Sequence, residues 1–274
     1  MLNLERLKRH KLRRTPWGQV LVAQYLRLDY SFPRKTEIVL EGTENLDPER
    51  RYILAMNHTD RFNYWPMQYV FHRRKLGYTS TWVKGKYYER PAVGWFMDAM
   101  GQMPLPSRGY VLTTTFRARV GRPPTNDEYR ALRDLADGQS TDVPAALAAG
   151  VGDVAEFLTE FLTEFQTTFD AMMDEVMRLN REALEIGLHI LVFPQGTRSR
   201  RLSRGHIGVA QVAQHLGATI VPIGCSGSDY VYPGYRPSAA GGRVVYRIGR
   251  PMEVDGPELS PFRVTEPFRP FTLA

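Results

Sequence analysis

The segment Gly187-Leu188-His189-Ile190-Leu191-Val192-Phe193 constrains the fold most, because it is short, apolar and delivered straight into the polar turn Pro194-Gln195-Gly196-Thr197. A run of this length between a glycine and a turn reads as a strand buried on both faces. Such strands belong to sheets covered by helices, and their carboxyl ends are where sites are built. Arg51 to Met56 has the same character and runs into Asn57-His58. Ala218 to Ile223 reads as a further buried strand, Tyr78 to Lys84 as another, Ile38 to Leu40 as a short one, and Arg243 to Ile248 alternates like an edge strand. Helices are expected from Tyr64 to about Arg73, Pro91 to Met100 and Gly205 to Leu216, while Val20 to Tyr30 suits a helix or a strand. This alternation implies an α/β domain with a mostly parallel sheet flanked by helices.

Two stretches break the rhythm. Residues 1–30 open with Leu2, Leu4, Leu7 and Leu12 among six cations from Arg6 to Arg14, a pattern expected to give either a basic amphipathic helix suited to an anionic membrane surface or an ordinary packed or frayed terminal helix. The second is a helical insertion at about 109–186 within the domain of residues 31–274. Its part from Arg122 to Asp142 reads as loop. From Asp153 onward Phe157, Phe161, Phe165 and Phe169 recur at four-residue steps. That stripe is expected to pack in the core, with the lining of an acyl-chain tunnel as the alternative.

Composition narrows the functional classes. One cysteine, Cys225, rules out an internal disulfide framework and any multi-cysteine metal site. No apolar run is long enough for a transmembrane helix, and no signal-peptide pattern opens the chain. The net charge of +7 admits nucleic acid, anionic membrane or phosphorylated small molecules as partners. Nucleic acid is set aside, because no finger, RNA-binding strand signature or recognition helix is present. The expected location is cytoplasmic, peripherally associated with the inner face of a membrane.

Three blocks carry chemistry. Asn57-His58-Thr59-Asp60-Arg61-Phe62-Asn63 puts a histidine at a strand end beside polar partners, where it can act as a general base near neutral pH. Gly101 to Arg108 is a prolyl strand that presents one guanidinium. Phe193 to Arg200 combines a glycine, two hydroxyls and two arginines, a set suited to gripping phosphate. In this order, and with Val221-Pro222-Ile223 following, the blocks resemble the glycerol-phosphate and lysophosphatidic acid acyltransferase family, from about Arg51 to Pro251.

The resemblance implies a glycerolipid acyltransferase-like fold and transfer of a fatty acyl group from acyl-CoA or acyl carrier protein to a phosphorylated, glycerolipid-like acceptor. It implies His58 as base, with Asn63 and Asp60 as its supports. Lys84, Arg108, Gln195, Gly196, Thr197, Arg198 and Ser199 would form the acceptor-phosphate site. It implies no metal, and no cofactor beyond the thioester co-substrate. Two positions depart from the family pattern: Asn63 stands where it has Asp, and Gln195 where it has Glu. Both changes keep shape and remove a negative charge. They leave open a relative that binds lipid or acyl-CoA without catalysis, or an acyltransferase with an unusual acceptor such as an amine.

Overall fold

The computed structural model describes residues 2–140, 153–266 and 271. The expected loop and helix around Asp142 to Gly152, and the terminal residues after 266 other than Phe271, lie outside the described residues. The strands are β1 (Thr36–Glu41), β2 (Ile53–Met56), β3 (Tyr78–Lys84), β4 (Met103–Leu105), β5 (Leu188–Val192), β6 (Ile220–Ser226) and β7 (Gly242–Ile248). The helices are α1 (Leu4–Arg9), α2 (Trp17–Asp29), α3 (Trp65–Arg74), α4 (Pro91–Ala99), α5 (Arg108–Val120), α6 (Asn126–Ala136), α7 (Val154–Glu185), α8 (Gly208–Leu216) and α9 (Ser228–Val231).

The strands form one sheet in the order β1-β7-β6-β2-β5-β3-β4. Parallel pairing joins β2 to β5 and β6, β3 to β5, and β1 to β7. Only the contact of β7 with β6 is antiparallel among the described pairs. The mostly parallel α/β architecture expected from the strand–helix alternation is therefore present. The apolar runs explain the order. All five residues of β5 are buried, and so are Ile53, Leu54 and Met56 of β2. Strands this apolar need cover on both faces, which central places in a helix-flanked sheet supply.

Two compact units are distinguished, one of Lys11–Val83, Ala92–Met103 and Met177–Ala274, the other of Met1–His10, Lys84–Pro91 and Pro104–Val176. In the first, Leu54, Leu191, Val221, Phe71 and Tyr246 belong to one buried cluster. Two buried polar side chains of this unit are paired on more than one side. Gln19 of α2 donates to the carbonyls of Thr79 and Met100 at 2.6 and 2.7 Å. His189 of β5 accepts from Tyr52 N at 3.2 Å and meets the Leu76 carbonyl through Nε2 at 3.0 Å. With one nitrogen accepting and the other donating, His189 is held neutral, and burial pushes its pKa down to about 4.

In the second unit the phenylalanine stripe of α7 is core. Phe161, Phe165 and Phe169 are buried, and successive rings from Phe157 to Phe169 lie 5.8, 6.5 and 6.2 Å apart. Phe116 of α5 packs edge-on against Phe157 and Phe161.

Four expectations change. The segment after Arg122 is helix α6, not loop. Thr125 and Glu128 form a capping box there, and Arg122 holds the Glu128 carboxylate at 2.7 and 2.8 Å. That pairing lowers the Glu128 pKa to about 2. Arg108 starts helix α5 behind the Ser107 cap instead of standing on a prolyl strand. Strand β7 is interior, between β1 and β6. Its alternation arises because one face is solvated, where Arg243 and Arg247 pair with Glu37 and Glu41 of β1. Finally, the N-terminal helix covers only Leu4–Arg9, and Leu2, Leu7 and Leu12 are buried, so they offer no lipid-facing stripe.

Candidate active site

Strands β2, β5 and β6 run side by side and parallel. Their carboxyl ends therefore deliver the loops after Met56, Val192 and Ser226 to one edge of the sheet. Asn57 stitches two of these ends together: its Nδ2 donates to the Cys225 carbonyl at 2.9 Å, and Cys225 N donates back to Oδ1 at 2.6 Å. Cys225 is buried, and burial pushes its thiol up to about 12, which removes it as a thiolate nucleophile at neutral pH.

His58 follows. Its Nδ1 lies 3.1 Å from Asn63 Oδ1, and Asn63 Nδ2 donates to the Asn57 carbonyl at 2.8 Å. A carbonyl only accepts, so the Asn63 NH2 must point at Asn57 and its oxygen at the ring. Nδ1 then carries the hydrogen and Nε2 the basic lone pair, the tautomer that a general base needs. Tyr246 fixes the turn from behind by donating to the Asn63 carbonyl at 2.5 Å. The ring itself stacks on Phe193, 4.0 Å between centroids and 21° between planes.

Asp60 serves the turn. Its carboxylate accepts from Phe62 N at 2.8 Å and from the Thr59 hydroxyl at 2.9 Å, and burial raises its pKa above the ordinary carboxylate value.

The loop after β5 is clamped to the backbone of His58. Gln195 Oε1 accepts from His58 N at 3.2 Å, and Ser199 N donates to the His58 carbonyl at 2.8 Å. Gln195 Nε2 donates to the Arg201 carbonyl at 3.2 Å and to Ser203 Oγ at 3.0 Å. Gly196 adopts φ +65° in this turn, close to His206, where an L side chain would be strained. Thr197 and Arg198 are exposed on the turn, and the Ser199 hydroxyl accepts from Arg201 N at 3.1 Å.

His58, Asn63, Asp60, Gln195, Gly196, Thr197, Arg198 and Ser199 thus all lie in the first unit, on the two clamped loops. Lys84 and Arg108 belong to the second unit. There the Arg108 guanidinium donates to Asp137 at 2.8 Å and to the Ala136 carbonyl at 2.6 Å, and lies over the rings of Phe165 and Phe169.

Sequence reasoning gave no role to Arg61, Asp229 or Tyr235. They line a cleft of about 370 Å³ together with Thr59, Asp60 and Arg198. Only Arg61 could have been found, from its place three residues after His58. Among the described residues no group of three or more histidines, cysteines or carboxylates could hold a metal ion.

The family model described as Acyltransferase matches residues 152–226, a segment that holds α7, β5, the glycine–threonine–arginine turn, α8 and β6. No curated protein matches the sequence. Among solved structures the chain is similar to the 1-acyl-sn-glycerophosphate (LPA) acyltransferase PlsC from Thermotoga maritima, with 16% identity over 92% of this chain and 70% of that one and a TM-score of 0.46. That likeness is too distant to transfer function.

Proposed function

We propose that the chain transfers a fatty acyl group from acyl-CoA or acyl carrier protein to a hydroxyl of a phosphorylated glycerolipid-like acceptor, with His58 as general base. The observation that carries this reading is the Asn57–Asn63–His58 relay, which sets the ring tautomer. In the reaction His58 Nε2 takes the acceptor's hydroxyl proton as the oxygen attacks the thioester carbonyl. The tetrahedral intermediate then collapses, and the thiolate leaves with the proton returned by His58. Asn63 orients the ring without supplying a countercharge to the imidazolium, so the step relies on orientation more than on charge stabilisation. Arg198, with the backbone of Gly196 and Thr197, takes the acceptor's phosphate.

A second reading is favoured by the same amides. Asn63 and Gln195 are each satisfied as donor and acceptor, so a lipid or thioester binder without catalysis would retain this geometry. Thiol release measured with several thioester donors against lysophospholipids and glycerol phosphate separates the two. A wild-type rate equal to that of His58→Ala across the panel would leave only the binder.

The proposal includes a peripheral membrane contact, since lysophospholipid acceptors reside in bilayers. No helix among the described residues is long and apolar enough to cross a membrane. The surface that suits lipid is on α2, where Trp17, Leu21, Tyr25 and Leu28 share one face and are exposed, with Leu28 at 72%. Exposed Trp95, in tilted contact with Trp17, and Phe32 extend it, and Arg13, Arg14, Arg27, Arg34 and Lys35 are exposed nearby in sequence. Cations beside an apolar face match an anionic leaflet.

A further inference from the structure

We infer that Arg61 is a further acceptor-binding residue, the partner of Arg198 in gripping an anionic, oxygen-rich group in the cleft beside His58. This rests on the acyl-transfer reading and adds to it a residue that reads the acceptor's charge. The cleft of about 370 Å³ is walled by the loop that carries the base and by the arginine turn after β5, with the segment after α9 as its third side.

Three guanidiniums line it, and their pairing differs. Arg200 is neutralised, with Nε 3.0 Å from the Asp229 carboxylate. Arg61 has no hydrogen bond or ion pair to a carboxylate among the described residues, and neither does Arg198. Asp60, the other carboxylate on the wall, is turned into its own loop toward Phe62 N and the Thr59 hydroxyl. Two guanidiniums thus share the cleft with no carboxylate bonded to either among the described residues, the two carboxylates on its wall being engaged elsewhere. Like charges gathered in this way are favourable only when an anion joins them.

Arg61 is also placed. Its guanidinium lies over the Tyr235 ring, 5.0 Å from the centroid. Stacking occupies the flat face and leaves the N–H edges to donate, which is the arrangement that recognises phosphate oxygens in pairs. Arg61 stands three residues after His58, and Ser199, next to Arg198, bonds the His58 carbonyl. An anion held between the two arginines is therefore tethered close to the base. A phosphomonoester on the molecule that bears the acylated hydroxyl is the anion this placement suits.

The test uses the full chain with glycerol 3-phosphate as a binding probe and lysophosphatidic acid and monoacylglycerol as acceptors. Arg61→Gln should weaken calorimetrically measured glycerol 3-phosphate binding by about 10- to 100-fold, as loss of charge-assisted bonds does. Its selectivity for lysophosphatidic acid over monoacylglycerol, as kcat/KM, should fall by a similar factor. Tyr235→Ala should give a smaller loss and Tyr235→Phe almost none, because the shelf is the ring. Arg61 is exposed, so folding is not at issue. Wild-type binding in Arg61→Gln alongside a deficit in Arg198→Gln would overturn the inference and leave acyl transfer standing. No measurable glycerol 3-phosphate binding by the wild-type chain would also overturn it. Binding that depends on Arg61, in a protein that releases no thiol, would support the cleft and defeat the enzymatic reading alone.

Discussion

Asn63 and Asn57 are locked by one bond, the Asn63 Nδ2 of a fully buried side chain donating to the carbonyl of the partly buried Asn57 at 2.8 Å. Replacing the amide by the carboxylate of the family pattern removes that donor and sets an anionic oxygen against the carbonyl lone pairs. Asn63→Asp should therefore destabilise the chain by about 1–3 kcal/mol and fail to raise turnover. Urea unfolding together with thiol release checks both halves. Unchanged stability with faster turnover would mean that the loop re-forms around a carboxylate.

Gln195 connects the backbone of the base to Arg201 and Ser203. Gln195→Met keeps length and bulk while cutting all three bonds. The expected result is a kcat lower by about 10- to 100-fold, the scale of a misplaced reacting group, with a smaller change in acceptor KM. The freed loop should also be cut faster by trypsin after Arg201. A variant with the wild-type kcat would show that Ser199 holds the loop alone.

His189 predicts a pH dependence of stability. Its folded pKa, about 4, lies below the ordinary 6.5, so between those values the unfolded chain binds the extra proton. The stabilisation from burying a neutral ring is complete above pH 6.5 and is lost as pH falls toward 4. The drop amounts to roughly 3 kcal/mol. In His189→Gln the unfolding free energy should lose this slope across pH 4 to 6.5. An unaltered slope would assign the acid sensitivity to carboxylates.

Arg108 is engaged within its own unit, by Asp137 and by the faces of Phe165 and Phe169. Arg108→Ala should cost about 1 kcal/mol of stability, as removal of a half-exposed ion pair with a stacked face does. Arg108→Lys should recover little of it, since an ammonium lacks the planar fork. A shift in acceptor KM without any fall in thermal stability would restore the role implied by the family resemblance.

The apolar face of α2 makes a separate claim. Leu21→Asp with Leu28→Asp should lower affinity for anionic vesicles by about tenfold or more, while truncating the buried leucines of the first segment should act through folding. Vesicle flotation with circular dichroism on the same samples separates these effects.

Much of this was legible before any coordinates. Strands β2, β5 and β6 announced themselves because central strands are apolar on both faces, and the residues at their ends gave the clamped loops. Helix α6 was hidden by the Pro123-Pro124 breaker before it and Gly138 after it, although Thr125-x-x-Glu128 was a cap in plain view. Strand β7 looked like an edge because alternation reports one wet face, and an interior strand can have one. The arginines were the hardest to sort. Whether a guanidinium binds ligand, caps a helix or sits on a ring depends on partners far along the chain. Asp229 and Tyr235, which separate Arg200 from Arg61, lie near no recognisable motif.

The place of β2 has a consequence for how the chain is made. Its neighbours are β5 and β6, with Ile53 facing both Ile190 and Ile220. During synthesis β2 emerges more than 130 residues before either partner, so its apolar edges stay unpaired until the ribosome has delivered the segment after α7. Contacts of such separation close late and slowly. Chains stalled before Leu188 would carry the histidine without the clamp of Gln195 and Ser199 on its backbone, and would be the species that chaperones must shelter.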